Sequence, residues 1–401
     1  MIFIFYILAA LLIFLSLKSF RGGVEYLNFF RCEIAKPKPD FTPFVTVIVP
    51  CRGIDSGLYK NLNSLIEQEF PPYEVLFVVD DENDDAVPVI REVSRKAAKD
   101  AKKTKLIVAG KADGCSQKVE NLREAVLHAD DRSEIFAFVD SDARPSTEWL
   151  RYLVAPLRDE KVGAATGYRW FISKNPSFAS ELRSVWNASI ASALGPNMKS
   201  NFCWGGSMAI RRDIFNRLDI RERWRGALSD DFTVTRAVKE TCMPIVFVPQ
   251  ALNASVEDCG MGEMLEFTTR QMKITRVYAQ NLWIMSLVGS GLFNAVMIAA
   301  FLIAILSSQN GVAVLASIAT LALVAMFSIG KSWLRLKAVR LVLTNYETYL
   351  KRQAWTQNTF WLMAPAIFFY NSLAALFSRR LTWRGITYEL KSPTETVIIA
   401  D

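Results

Sequence analysis

Histidine is almost missing from this chain of 401 residues, where His128 stands alone. The six cysteines, Cys32, Cys51, Cys115, Cys203, Cys242 and Cys259, are scattered with no Cys-x-x-Cys pair. These two shortages exclude a Cys/His zinc site and a Cys–His nucleophile pair. Scattered thiols outside a secreted framework predict reduced, buried side chains rather than disulfides. A basic module interleaved with aromatics is also lacking, so no nucleic-acid partner is expected. The excess of 47 Lys and Arg over 40 Asp and Glu, net +7, reads instead as charge beside membrane segments.

Charge itself is absent from long stretches. Residues 1–17 contain one non-apolar residue, Ser16, and no charge before Lys18. That length is near the lower limit for crossing a hydrocarbon core of about 30 Å. With no charged start and no small-x-small cleavage site, it reads as a retained anchor. Lys18, Arg21, Arg31, Lys36 and Lys38 follow in a linker over 18–43, which the positive-inside rule places in the cytoplasm. Residues 283–306 and 312–330 are again uncharged and predict a transmembrane hairpin around a polar turn at 307–311. Residues 331–358 mix Lys331, Arg335, Lys337, Arg340, Lys351 and Arg352 with apolar residues, the pattern of a basic interfacial helix. Residues 359–378 are apolar but broken by Pro365 and Asn371. A crossing there would put Arg379, Arg380, Arg384 and Lys391 outside, so the segment is either transmembrane or re-entrant, with a tail over 379–401.

Between the anchors, residues 44–281, strand and helix patterns alternate. Short apolar runs at 44–50, 74–79, 105–109, 135–139 and 245–248 end mostly at polar or acidic residues. Helical spacing fills 58–70, 87–103 and 118–129. Such alternation predicts an open, largely parallel α/β sheet of Rossmann-like type.

Four polar stations stand on this framework. Asp80 and Asp81 follow the second strand, where they suit acceptors for a base imide and a ribose hydroxyl, or a solvated turn with Asn83, Asp84 and Asp85. Asp140 and Asp142, at i and i+2 after a buried strand, direct both carboxylates to one side, a ligand geometry for Mg²⁺ or Mn²⁺ bridging phosphates. Asp230 and Asp231 precede a helical run, so Asp231 is either a helix-terminal carboxylate or a general base acting on an acceptor hydroxyl. Arg270, Gln271, Lys273 and Arg276 are either charge ahead of a membrane crossing or an anion-binding set. Lys118 is a surface lysine or a cation for a diphosphate. Gly205 and Gly206 beside Trp204 form a turn or let a sugar or acceptor approach the backbone.

Together these residues resemble family-2 glycosyltransferases, more narrowly the ceramide glucosyltransferase-like branch, from about Phe44 to Trp283. A weaker echo lies in Leu381-Thr-Trp383-Arg384-Gly385-Ile-Thr-Tyr388. The resemblance implies a membrane-anchored GT-A enzyme with a cytosolic catalytic domain, in a bacterial inner membrane on this reading. It also implies inversion at the sugar carbon. On the family pattern Asp80 and Asp81 contact the nucleoside, Asp140 and Asp142 the metal, and Asp231 is the base with Asp230 beside it. Residues 114–122, carrying Lys118 and Asn121, match the lysine-asparagine segment. Gly205, Gly206, Arg270, Gln271 and Lys273 fall on the acceptor and diphosphate side.

One departure stands out. The family's fourth motif, Gln or Arg, two residues, then Arg-Trp, here reads Arg270-Gln271-Met272-Lys273-Ile274. The charge survives at Lys273 and the tryptophan does not. The expected reaction is transfer of a sugar from a nucleotide-diphosphate donor, such as UDP-glucose, to a membrane lipid hydroxyl. A processive polysaccharide synthase and a catalytically silent nucleotide-sugar-binding membrane protein are the alternatives.

Overall fold

The computed structural model describes residues 2–100, 102–306 and 310–400. The chain divides into two compact units. One comprises Glu33–Lys174, Ala193–Asp258 and Arg379–Asp401; the other comprises Met1–Cys32, Asn175–Ser192 and Cys259–Ser378. The expected continuous block over 44–281 is therefore interrupted, since residues 175–192 and everything after 258 pack with the helical unit until the tail.

The first unit is built on eight strands: β1 (Val45–Pro50), β2 (Tyr73–Val79), β3 (Lys103–Val108), β4 (Ile135–Phe138), β5 (Ala143–Arg144), β6 (Ala164–Ile172), β7 (Met208–Arg211) and β8 (Ile245–Val256). Their order is β3-β2-β1-β4-β7-β6-β8-β5. The first four pair in parallel, with Val45 opposite both Tyr73 and Ile135. β7 runs antiparallel to β4 and β6, and β5 antiparallel to β8. The sheet is thus mixed, parallel mainly over the half where strand and helix alternate. Of the parallel strands, β1, β2 and β4 read as nearly continuous apolar runs because both faces are covered, while β3, at the edge, carries Lys103 and Lys105. Val45, Val47 and Val49 point to one side, against Leu58, Leu62, Ile90 and Val93. Ile48, Leu76, Val78 and Phe138 point to the other, against Val119, Leu122, Phe215 and Trp224.

The residues of 379–401, expected as a tail, form three antiparallel strands, β9 (Arg380–Trp383), β10 (Ile386–Ser392) and β11 (Glu395–Ala400), in the order β11-β10-β9. They belong to the first unit. The Tyr388 hydroxyl, on a side chain buried to 1 % exposure, accepts the Gln117 N–H at 3.1 Å.

The second unit is helical. Its first helix, Ile2–Ile34, runs on through about two thirds of the segment expected as linker, and at 1.5 Å per residue it is about 50 Å long. Helices Gln280–Leu306 and Gly311–Arg340 join it as the three that, among the described residues, are long and apolar enough to cross a membrane. Phe5, Ala9 and Leu12 pack with Val296, Met297, Ala300 and Val324. Where helix approaches helix, small residues are required: a Cβ on Gly330 would come within 2.7 Å of the Phe20 ring. Of the turn expected at 307–311, residues 307–309 lie outside the described residues, while Asn310 accepts the Ala313 N–H at 3.1 Å and starts the next helix. That helix absorbs the first part of the segment expected as an interfacial helix, and Glu347–Thr359 forms the rest. Ala364–Phe377 is bent by 58° from the helical segment before it. At 14 residues, or about 21 Å, it falls short of a hydrocarbon core. Its polar interruption, Asn371, is fully buried and accepts the Thr269 hydroxyl at 2.9 Å.

Candidate active site

The carboxyl ends of β2 and β4 and the starts of two helices bring most of the expected residues together in the first unit. Lys118 is the second residue of helix Gln117–Ala125, whose start is fixed by Ser116: its hydroxyl oxygen accepts the Val119 N–H at 3.2 Å. From there the Lys118 ammonium reaches Asp140 at 2.8 Å and Asp230 at 3.1 Å. Burial alone would lower the amine's pKa, but Asp140, Asp230 and Asp231 outweigh it and raise it. Lys118 is thus no surface lysine.

Asp140 and Asp142 share a second cation that sequence reasoning missed. Arg169, on β6 and 9 % exposed, places Nη2 3.2 Å from Asp140 and Nη1 3.1 Å from Asp142. Its guanidinium also lies over the Trp204 ring, 4.6 Å from the centroid. An arginine inside the otherwise apolar run Ala164–Ile172 was the available signal, because a buried charge demands a partner. Burial would raise the Asp140 pKa, and Lys118 and Arg169 together hold it below the usual carboxylate range.

Asp230 and Asp231 open helix Asp230–Glu240 behind Ser229. Asp231 is satisfied as a helix-terminal carboxylate: Oδ1 accepts the Phe232 N–H at 2.7 Å and the Ser229 hydroxyl at 2.5 Å, while Oδ2 accepts the Gly205 N–H at 3.1 Å. Asp230 is buried, and its Oδ2 has no hydrogen-bond partner. Burial, reinforced by Asp231 and Asp140 against the opposing Lys118, pushes the Asp230 carboxyl up to about 6.

The glycine pair has a steric reason. A Cβ on Gly205 would meet Asp230 Oδ2 at 2.3 Å and Lys118 Nζ at 2.8 Å, and one on Gly206 would meet the Trp204 ring at 2.2 Å and Asp140 Oδ2 at 2.7 Å. Asn121 plays an internal part: it is 1 % exposed, its Oδ1 accepts from Gln117 at 2.9 Å, and its amide donates to the Val78 carbonyl at 3.4 Å.

Asp80 is 4 % exposed and paired with Arg52 and, at 2.9 Å, with Lys111. Asp81 closes a turn, its Oδ1 accepting from the Asn83 backbone at 2.8 Å and side chain at 3.1 Å. Both line a cleft of about 480 Å³ together with Gly53, Asp84, Lys111 and Arg384. Arg270, Gln271 and Lys273 lie on helix Met261–Tyr278 of the other unit. There Arg270 is 3.8 Å from Glu266, and burial lowers the Lys273 pKa.

Among the described residues no group of three or more His, Cys, Asp or Glu side chains is set to hold a metal. The Asp140–Asp142 pair nonetheless fits a hard cation whose remaining ligands come from a diphosphate and water. Asp142 Oδ1 is buried without a hydrogen-bond partner, and its carboxylate lies on the same cation as Asp140.

Paired carboxylates at the end of a strand, countered by the buried cations Lys118 and Arg169 and faced by a helix-terminal acidic pair, form the charged heart of the site. The chain belongs to glycosyl transferase family 21, whose model matches residues 3–396. It is 35% identical over 91 residues to ceramide glucosyltransferase 1 of Caenorhabditis elegans, covering 22% of this chain and 19% of that protein. It is 29% identical over 123 residues to the ceramide glucosyltransferase of Candida albicans, covering 28% and 22%. The chain thus aligns with about a fifth of the length of the curated relatives it matches. Among solved structures, the mannosyltransferase PcManGT of Pyrobaculum calidifontis, in complex with GDP-Man and Mn²⁺, aligns over 90% of this chain and 99% of its own. Its TM-score is 0.43 at 22% identity. Glucosyl-3-phosphoglycerate synthase of Mycobacterium tuberculosis, with Mn²⁺ and UDP-glucose, aligns over 58% and 78% with a TM-score of 0.36 at 12% identity.

Proposed function

We propose that this glycosyltransferase moves a sugar from a nucleotide-diphosphate donor, a UDP-sugar such as UDP-glucose, to a membrane lipid hydroxyl with inversion at the anomeric carbon. The observation that carries the reading is the buried assembly of Lys118, Asp140, Asp142, Arg169, Asp230 and Asp231. It supports a reading in which the cations counter the charge of a departing diphosphate and the acidic pair takes a proton from an acceptor. The lipid acceptor draws support from the three apolar helices and from relatives named ceramide glucosyltransferases.

In this mechanism Asp231 takes the proton of the acceptor hydroxyl as that oxygen forms a bond to the anomeric carbon from the face opposite the leaving group. The bond from that carbon to the diphosphate oxygen breaks, and its electron pair leaves with the nucleoside diphosphate. Hydrogen bonds from Ser229, Phe232 and Gly205 hold the Asp231 carboxylate in one orientation. Lys118 keeps its proton because three carboxylates surround it, and so offers a fixed positive charge to the departing group. A Mg²⁺ or Mn²⁺ ion held by Asp140 and Asp142 supplies further neutralisation of that diphosphate when bound. The catalytic unit faces the cytoplasm on the distribution of Lys and Arg after the first apolar segment.

Membranes containing the protein, given a panel of labelled nucleotide sugars and a lipid extract, test the reading. One labelled lipid carrying a single added sugar, extracted into organic solvent, is the expected product. Asp231→Asn should retain donor binding and lose turnover by a factor on the order of 10² to 10⁴. A ladder of lengthening water-soluble chains would establish a polymer synthase instead.

A further inference from the structure

The three strands at the carboxyl end of the chain do more than cover the first unit. β9 and β10 are joined by a two-residue turn, with Trp383 opposite Ile386. Both turn residues adopt positive φ, 52° at Arg384 and 86° at Gly385. Glycine takes that conformation at no cost, and an arginine does so only where its surroundings hold it. Those surroundings are the sheet edge. Arg384 Nη2 donates to Asp55 at 2.5 Å, and the Arg52 Nε donates back to the Arg384 carbonyl at 3.1 Å. Asp55 also accepts the Ser141 hydroxyl at 2.6 Å, from the residue between Asp140 and Asp142. Arg384 is therefore tied to the loop of the paired carboxylates; burial works against its charge, and the fields of Asp55, Asp142 and Asp140 outweigh it. At the same time it lines the cleft of Asp80, Asp81 and Lys111.

This side chain is common to the two ends of the site, the carboxylates assigned to the nucleoside and those assigned to the metal. The diphosphate of a bound donor must run between them. A guanidinium carries five N–H donors in a planar fork matched to phosphate oxygens. The Asp55 carboxylate and a long contact to the Arg52 carbonyl, at 3.4 Å, occupy only part of that fork. The fit of the tail is close on its other side as well: a Cβ on Gly226, at φ 80°, would come within 2.1 Å of the Thr394 carbonyl oxygen. We infer that Arg384 is a donor-binding residue that grips the diphosphate of the nucleotide sugar, presented by the β9–β10 turn and aimed by Asp55. The inference rests on the nucleotide-sugar reading of this same site.

The full-length protein in detergent, as wild type, Arg384→Ala and Arg384→Lys, is titrated with UDP, uridine and inorganic pyrophosphate. Arg384→Ala should weaken UDP and pyrophosphate about tenfold or more, with uridine affinity unchanged and Arg384→Lys in between. Equal weakening of UDP and uridine would reduce Arg384 to a structural role, and unchanged UDP binding would remove it from the site. The pyrophosphate arm reports on Arg384 whatever the base of the natural donor. Sugar transfer by the wild type tests the underlying reading separately: an active wild type with an unaffected Arg384→Ala overturns this inference alone. A wild type that binds neither UDP nor pyrophosphate overturns both. Melting temperature checks folding, and Arg384→Gln, judged by the same split, replaces an alanine variant that does not fold.

Discussion

Lys118 and Asp140 are ion-paired at 2.8 Å across the gap between a helix start and a strand end. A buried cation thus stands against the carboxylate pair in the protein itself. Lys118→Met should remove a charge that counters the leaving diphosphate and lower turnover on the order of 10² to 10³-fold, the usual effect of deleting one such group. Steady-state kinetics with the preferred nucleotide sugar measures it. A loss confined to folding yield, with normal turnover in the folded fraction, would make the pair purely structural.

Gly205→Ala adds one methyl whose carbon would fall 2.3 Å from Asp230 Oδ2. Asp230 or Lys118 must move, and a displacement of about 1 Å in such a site costs on the order of 10²-fold in rate. Turnover assays paired with thermal melts separate this from unfolding: activity should collapse while the melting temperature changes little.

The Asp230 carboxyl, pushed up to about 6 by burial, gives a signed pH effect. Its folded pKa lies above the unfolded value of 3.8, so its contribution to stability is complete below the unfolded value and is lost as pH rises through about 6. Asp230→Asn should flatten the pH dependence of the melting temperature between these limits and raise stability at neutral pH relative to wild type. Parallel slopes for the two proteins would contradict the assignment.

Chelation tests the carboxylate pair. Excess EDTA should abolish transfer, and added Mg²⁺ or Mn²⁺ should restore it. Asp142→Asn should require a higher concentration of the ion for half-maximal activity. Activity undiminished in chelator would detach Asp140 and Asp142 from metal binding.

Much of the fold could be read before the structure because the parallel half of the sheet writes itself in short apolar runs, and Asp80 and Asp140 mark where they end. Asp231 was visible as the start of a helix. β6 was not, since Thr166, Gly167 and Arg169 interrupt its apolar residues without giving a regular alternation. What hid β6 also hid Arg169, whose charge is intelligible only with Asp140 and Asp142 in place. The β9–β10 turn was visible only as an echo in the tail. Arg384 meets Asp55 across 329 positions, a separation that no local pattern carries. Asp81 and Asn121 matched a motif, but their hydrogen bonds are to neighbouring residues and to the strand beside them.

The strands of 380–400 follow every membrane-length helix in the order of synthesis. A nascent chain whose helices are still being inserted therefore has strands β1 to β8 but lacks the turn that carries Arg384 to Asp55. Completion of the cleft therefore waits on residues made after those helices, and the pairing of Arg384 with Asp55 couples the pocket to the folding of a segment far from it in sequence.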